Sequence, residues 1–205
     1  MRPKITFLIL VFALFQSKVS GQCKTGVYSN FHNFLKNQPL PSIYVKIKKG
    51  DRGHKYINES NIDVWADYKI KKTQIKEILW GFCTDNAFYV SSTSYTHPER
   101  NKSGILRPIA TRYSKILHYG RYSYFFGAEE ITDKSAYVVT GLIGLIPIKN
   151  YYTLDMKTGN IQPVKTEHVR DIIADNPTLL EEFNNDLDVN GKLLEYIERY
   201  NEIFR

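Results

Sequence analysis

Lys76–Ser91 reads KEILWGFCTDNAFYVS, and its interpretation decides the fold. Two short apolar segments, Glu77–Cys83 and Ala87–Ser91, flank Asp85-Asn86. Asp and Asn accept the positive φ that a two-residue hairpin turn demands. Such a turn also fixes register, so Cys83 is expected opposite Phe88 and Phe82 opposite Tyr89. Strand alternation would then put Leu79, Cys83, Phe88 and Val90 on one face and Ile78, Trp80, Phe82 and Tyr89 on the other. Both faces are apolar, which places the hairpin inside a sheet and not at its rim.

Working outward, Ile43–Lys48 (IYVKIK) and Ile62–Ile70 (IDVWADYKI) alternate apolar and polar residues, the pattern of strands with one wet face. Upstream, Tyr28–Asn37 carries Phe31, Phe34 and Leu35 at helical spacing behind Ser29 as cap, and Pro39 and Pro41 end it. Downstream, strands are expected within Ile105–Tyr119, broken near Pro108, and over Arg121–Gly127. Ser135–Ile148 (SAYVVTGLIGLIPI) reads as a buried strand bent at its glycines, or alternatively as a loop that enters a membrane; it is too short to span one. Tyr151–Met156 and Asn160–Val164 form a hairpin across Lys157-Thr158-Gly159. From Thr166 the spacing becomes helical, with Val169, Ile172 and Ile173, then Leu179, Leu180, Phe183 and Leu187, then Leu193, Leu194, Ile197 and Tyr200 turned inward. Asn176-Pro177 and Asn190-Gly191 separate these helices.

Arg2 and Lys4 precede an unbroken apolar run of 11 residues, Ile5–Phe15, followed by Val19-Ser20-Gly21. This is the pattern of a secretory signal peptide over residues 1–21. Those residues hold three bases and no acid, so the formal charge drops from +7 to +4 on their removal. A charge that mild argues against a nucleic-acid partner. It is unevenly spread: Lys46–Lys76 carries a surplus of +5, while residues 166–205 carry −6. The basic stretch is either a solvated sheet face or a surface for an acidic partner or polyanionic glycan. Cys23 and Cys83 are the two cysteines of the chain. They either pair, as an oxidising compartment allows, or remain an exposed thiol and a buried apolar side chain; the sequence leaves both readings open. Cys23 would also begin a lipid-modified chain, but Gln22 stands where a lipobox needs a small residue.

No catalytic motif is found. The histidines His32, His54, His97, His118 and His168 are scattered, with no pair at helical zinc spacing. G-x-S-x-G, H-E-x-x-H and phosphate-binding glycine loops are missing from the sequence. No catalytic residue, cofactor-binding residue or metal ligand is therefore assigned, and no cofactor is expected. A hydrolase remains open only if distant groups such as His118, Glu129 or Asp133 converge with a hydroxyl in one pocket.

Several local patterns recur together: Gly26-Val27-Tyr28 with Phe31, Phe34 and Asn37-Gln38-Pro39; Leu79-Trp80-Gly81-Phe82 with Asp85-Asn86 and Phe88-Tyr89-Val90; and Gly120–Phe125 (GRYSYF). Leu154–Gly159 (LDMKTG), Asp175–Phe183 and Leu194–Glu202 (LEYIERYNE) complete the set. In these the chain resembles an uncharacterised family of secreted Bacteroidota proteins, a domain of unknown function. The resemblance implies an exported, envelope-associated address and transfers no activity. The combined expectation is an α+β fold: an antiparallel β-sheet with a short N-terminal helix and C-terminal helices packed on it. Residues 1–21 are the signal peptide, 22–165 a mainly antiparallel β domain, and 166–205 a helical segment of the same domain. The expected function is that of a non-enzymatic binding or structural module in the periplasm, on the outer surface or secreted. Its partner would be an envelope protein or a glycan, with no transmembrane span after signal cleavage.

Overall fold

The computed structural model describes residues 23–48, 55–84, 87–95, 112–132 and 145–204. The signal-peptide segment, the turn at Asp85-Asn86 and residues 135–144 of the Ser135–Ile148 stretch lie outside the described residues. An eight-stranded antiparallel sheet is built from β1 (Gly26–Tyr28), β3 (Tyr56–Asn58), β5 (Gly81–Thr84), β6 (Ala87–Ser91), β7 (Arg112–His118), β8 (Tyr122–Thr132), β9 (Leu145–Asp155) and β10 (Ile161–Pro163). The path runs β1-β5-β6-β7-β8-β9-β10, and β3 pairs with the first half of β7. A separate two-stranded sheet joins β2 (Ile43–Ile47) to β4 (Ile62–Ala66). Helices α1 (Phe31–Leu35), α2 (Lys72–Ile78), α3 (Thr166–Ile173), α4 (Pro177–Asn185) and α5 (Leu193–Ile203) complete the α+β fold.

The hairpin register is as expected: Cys83 pairs with Phe88 and Phe82 with Tyr89, between β1 on one side and β7 on the other. One sheet face carries Cys83, Phe88, Val90, Phe125 and Leu154. It is roofed by α1, whose Phe34 ring stacks on Phe88 at 3.9 Å between centroids. The opposite face is divided. Phe82, Tyr89 and Tyr113 pack against the inner residues of the small sheet, Ile43, Val45, Ile47, Ile62 and Val64. Tyr124 instead meets Val169, Ile173, Phe183 and Ile197 of the C-terminal helices. Both faces of the central strands are thus taken from water, at roughly 1.5–3 kcal/mol for each large side chain buried.

The expected strand Glu77–Cys83 needs correction, because Lys72–Ile78 is helical and the strand starts at Gly81. Ile75 and Leu79, four residues apart, both point into the core. The Gln74 side chain accepts from the Lys71 N–H at 3.1 Å, half of a capping box. Strand alternation therefore does not run through residues 78–80. Leu79 joins the face of Phe82 and Trp80 that of Phe88, the reverse of the expectation. Leu187, expected inward, is fully exposed just beyond the end of α4. The cap at Asn176 and the proline at the first turn of α4 are present, with Asn176 accepting from Leu179 N–H at 3.0 Å. Gly159 has φ +81, the left-handed geometry required by the β9–β10 turn.

Where α4 leads into α5, Asp186 accepts from Asp188 N–H, from Lys192 Nζ and from the Tyr196 hydroxyl. The backbone donor first, then the two side chains, hold its pKa below the ordinary carboxylate value. A depressed folded-state pKa contributes stability above the unfolded value of about 3.9 that is lost as pH falls through the folded one. The urea midpoint of Asp186→Asn is accordingly expected to fall less steeply below about pH 4 than that of the wild type. Parallel slopes would show that the carboxylate contributes nothing.

Candidate functional site

Strands β2 and β4 alternate so strictly that their inner residues are buried and their outer ones wet. Register then sets Tyr44 across from Trp65 and Lys46 across from Asp63 on the outer face. The Tyr44 and Trp65 rings stack at 5.6 Å with 23° between planes, yet they remain 41% and 43% exposed. Two large rings left half in water are more than the isolated exposed apolar residue that any surface carries. The Tyr44 hydroxyl donates to Asp67 at 2.8 Å, and this hydrogen bond with its charge raises the phenol pKa. That contact also fixes the ring in place. Farther along the same strand edge, Lys48 is held 3.9 Å from Asp63 and donates to the Ser60 carbonyl. The result is a rigid aromatic platform with ammonium and carboxylate groups at its edge.

A second feature is a groove of about 190 Å³ between α3 and the β9–β10 hairpin. Thr153 lies at its base, 1% exposed, with its hydroxyl 2.7 Å from His168 Nε2. Burial lowers the His168 pKa, against the opposing pull of Asp171 and Asp155. Asp155 accepts from Lys157 N–H and from the Thr158 hydroxyl, each at 2.8 Å. Thr–His contact is the first requirement of a nucleophile and base. Here the hydroxyl is buried in a strand, and among the described residues no carboxylate is hydrogen-bonded to His168 to orient it. The pair is a polar floor to the groove.

Of the groups whose convergence would mark a hydrolase, His118 stacks on Tyr124 at 5.4 Å and stands 4.0 Å from Glu198. The Glu129 side chain and Asp133 lie outside the described residues. Among the described residues no group of three or more His, Cys, Asp or Glu side chains is placed to hold a metal ion. None of the helices described is long and apolar enough to cross a membrane. In the uncharged stretch, Leu145–Ile148 belongs to β9 and pairs with Glu129–Thr132 of β8. Cys23 and Cys83 are joined as a disulfide with 6.0 Å between Cα atoms, tying the segment before β1 to the central hairpin. Sequence reasoning missed the platform and the groove. Tyr44 and Trp65 meet only through a pairing across 21 positions, and His168 reaches Thr153 only through the docking of α3.

The fold and its surface define a disulfide-tied α+β domain with an exposed aromatic face. Residues 26–203 match the family of unknown function DUF6563, and the chain belongs to that family. No curated protein and no solved structure matches it.

Proposed function

We propose that this chain is an exported, non-enzymatic binding module of a Bacteroidota cell envelope, and that it holds a glycan against the Tyr44–Trp65 platform. The observation that carries the reading is the half-exposed, stacked aromatic pair on the outer face of the β2–β4 sheet. Aromatic rings present an electron-rich face to the C–H groups on the apolar side of a pyranose ring. Rings already fixed by strand pairing and by the Asp67 contact lose little freedom on binding. Lys46 and Asp63 supply donors and acceptors for sugar hydroxyls beside them. The export part of the reading is supported by the signal-like residues 1–21 and by a disulfide, which suits an oxidising compartment.

The test is electrophoresis of the purified protein through native gels containing soluble polysaccharide, neutral (glucan, mannan) or anionic (alginate). At least one polysaccharide is expected to retard the protein. Trp65→Ala should weaken retention by about 2 kcal/mol, roughly thirtyfold, as aromatic anchors at binding hot spots do. Because Trp65 faces water, its melting temperature should stay near that of the wild type. Unretarded migration in every gel, or equal retention of Trp65→Ala, would rule out a glycan platform.

A further inference from the structure

We propose that the glycan held on the Tyr44–Trp65 platform is an acidic one, carrying uronate carboxylates, and that Lys46 is the residue that selects it. This rests on the glycan reading of the platform and names the class of sugar. Two ammonium groups, Lys46 and Lys48, and two carboxylates, Asp63 and Asp67, stand along the outer edge of the β2–β4 pair. Three of the four are engaged. Lys48 lies 3.9 Å from Asp63 and donates to the Ser60 carbonyl at 2.6 Å. Asp67 accepts from the Tyr44 hydroxyl at 2.8 Å. Lys46 is exposed on the outer face and has no hydrogen-bond or ion-pair partner among the described residues. Its three N–H donors are therefore open to an incoming acceptor.

An exposed lysine is by itself a solvated side chain. What distinguishes Lys46 is its place beside two fixed rings. It follows Tyr44 on the same face, about 7 Å along the strand at the usual rise per residue. A flexible four-carbon stem brings its ammonium to the rim of a sugar stacked on the rings. Strand pairing also gives the platform a direction. Asp67 donates its N–H to the Ser42 carbonyl at one end, Lys46 faces Asp63 toward the other, and the ring pair lies between. A sugar carboxylate is thus drawn toward Lys46 and repelled by Asp67. One open ammonium answers one carboxylate, whereas Asp63 and Asp67 disfavour a densely sulfated polymer by like-charge repulsion. The surplus of +5 over Lys46–Lys76 adds a longer-range attraction for the same sign of ligand.

The test is electrophoresis of the purified protein through native gels containing alginate or polygalacturonate, each compared with its carboxyl-esterified form. Esterification keeps the ring and the linkage but removes the charge. At least one acid polymer is expected to retain the protein about threefold to fivefold more strongly than its ester, the scale of one exposed charge pair. Added salt should erase the difference. Lys46→Met keeps most of the stem and should bring retention by the acid polymer down to that of the ester, at unchanged melting temperature. Lys36→Met is the control for net charge, since Lys36 follows α1 on the opposite face of the main sheet; it should keep the preference. Equal retention by acid and ester, lost in Trp65→Ala, would overturn selection by charge and leave the platform a glycan site. A preference that survives Lys46→Met, or that Lys36→Met abolishes equally, would also overturn it. Unretarded migration in every gel would remove the platform reading and this inference with it.

Discussion

Asn201→Ala is expected to lower the unfolding free energy by about 2–5 kcal/mol, far beyond the loss of one surface amide. Asn201 lies on α5, is 1% exposed, and reaches the first residue of β8. Its Oδ1 accepts from Tyr122 N–H and its Nδ2 donates to the Tyr122 carbonyl, both at 2.9 Å. One side chain thus does for Tyr122 what a neighbouring strand does elsewhere. Truncation leaves two shielded backbone groups without partners, at about 1–3 kcal/mol each. Aspartate is no substitute, since it would turn a second oxygen toward the Tyr122 carbonyl. The close approach depends on Gly120, where an added Cβ would lie 2.3 Å from Asn201 Cγ. Gly120→Ala should therefore cost about 1–3 kcal/mol through overpacking. The double variant should cost less than the sum, because truncating Asn201 vacates the space the new methyl needs. Urea denaturation with unchanged slope is the measurement. If Asn201→Ala unfolds with the wild type, α5 is an appendage and not a structural support of the sheet.

That contact also illustrates which features a sequence reveals. The register of Cys83 on Phe88 is legible because a two-residue connection permits only one pairing, and both partners lie within six positions. The cap of α4 and the inward faces of α3 and α4 are equally local, set by Asn176-Pro177 and by the spacing of Val169, Ile172 and Ile173, whereas Thr166 is the first residue of α3 and does not cap it. Glu77–Trp80 misleads because a short apolar run fits either period. Only Ile75, outside the run, tips Leu79 toward a helix. β1 is three residues long and gains its strand character from pairing with β5, so nothing local marks it. The candidate sites are less legible still. Lysines and an isolated tryptophan in alternating strands say that one face is wet, but stacking of Tyr44 on Trp65 needs β2 to pair with β4 while β3, between them in sequence, joins the other sheet.

Cys23→Ser should remove about 4 kcal/mol by a different route. The disulfide closes a loop of 60 positions. In the chain-entropy account such a closure raises the free energy of the unfolded state by roughly 4 kcal/mol, within the observed range of about 0–5. The native state should change little. Cys83 is fully buried beside Phe88, and its thiol can stay there as a small apolar group. The segment before β1 keeps other ties, since Asn37 Oδ1 accepts from Lys24 N–H at 2.7 Å and from the Tyr28 hydroxyl at 3.0 Å. Two observables separate this loss from that of Asn201→Ala. The ¹⁵N spectrum of Cys23→Ser should resemble that of the wild type away from residues 23–28, and the urea slope should rise because the unlinked chain exposes more surface. Reduction of the wild type should reproduce both effects. The consequence reaches function: a domain that depends on this link for so much of its typical stability of about 5–15 kcal/mol is best suited to an oxidising compartment. If Cys23→Ser and the reduced wild type unfold at the same urea concentration as the oxidised protein, the link does not set stability. Export would then be supported by residues 1–21 alone.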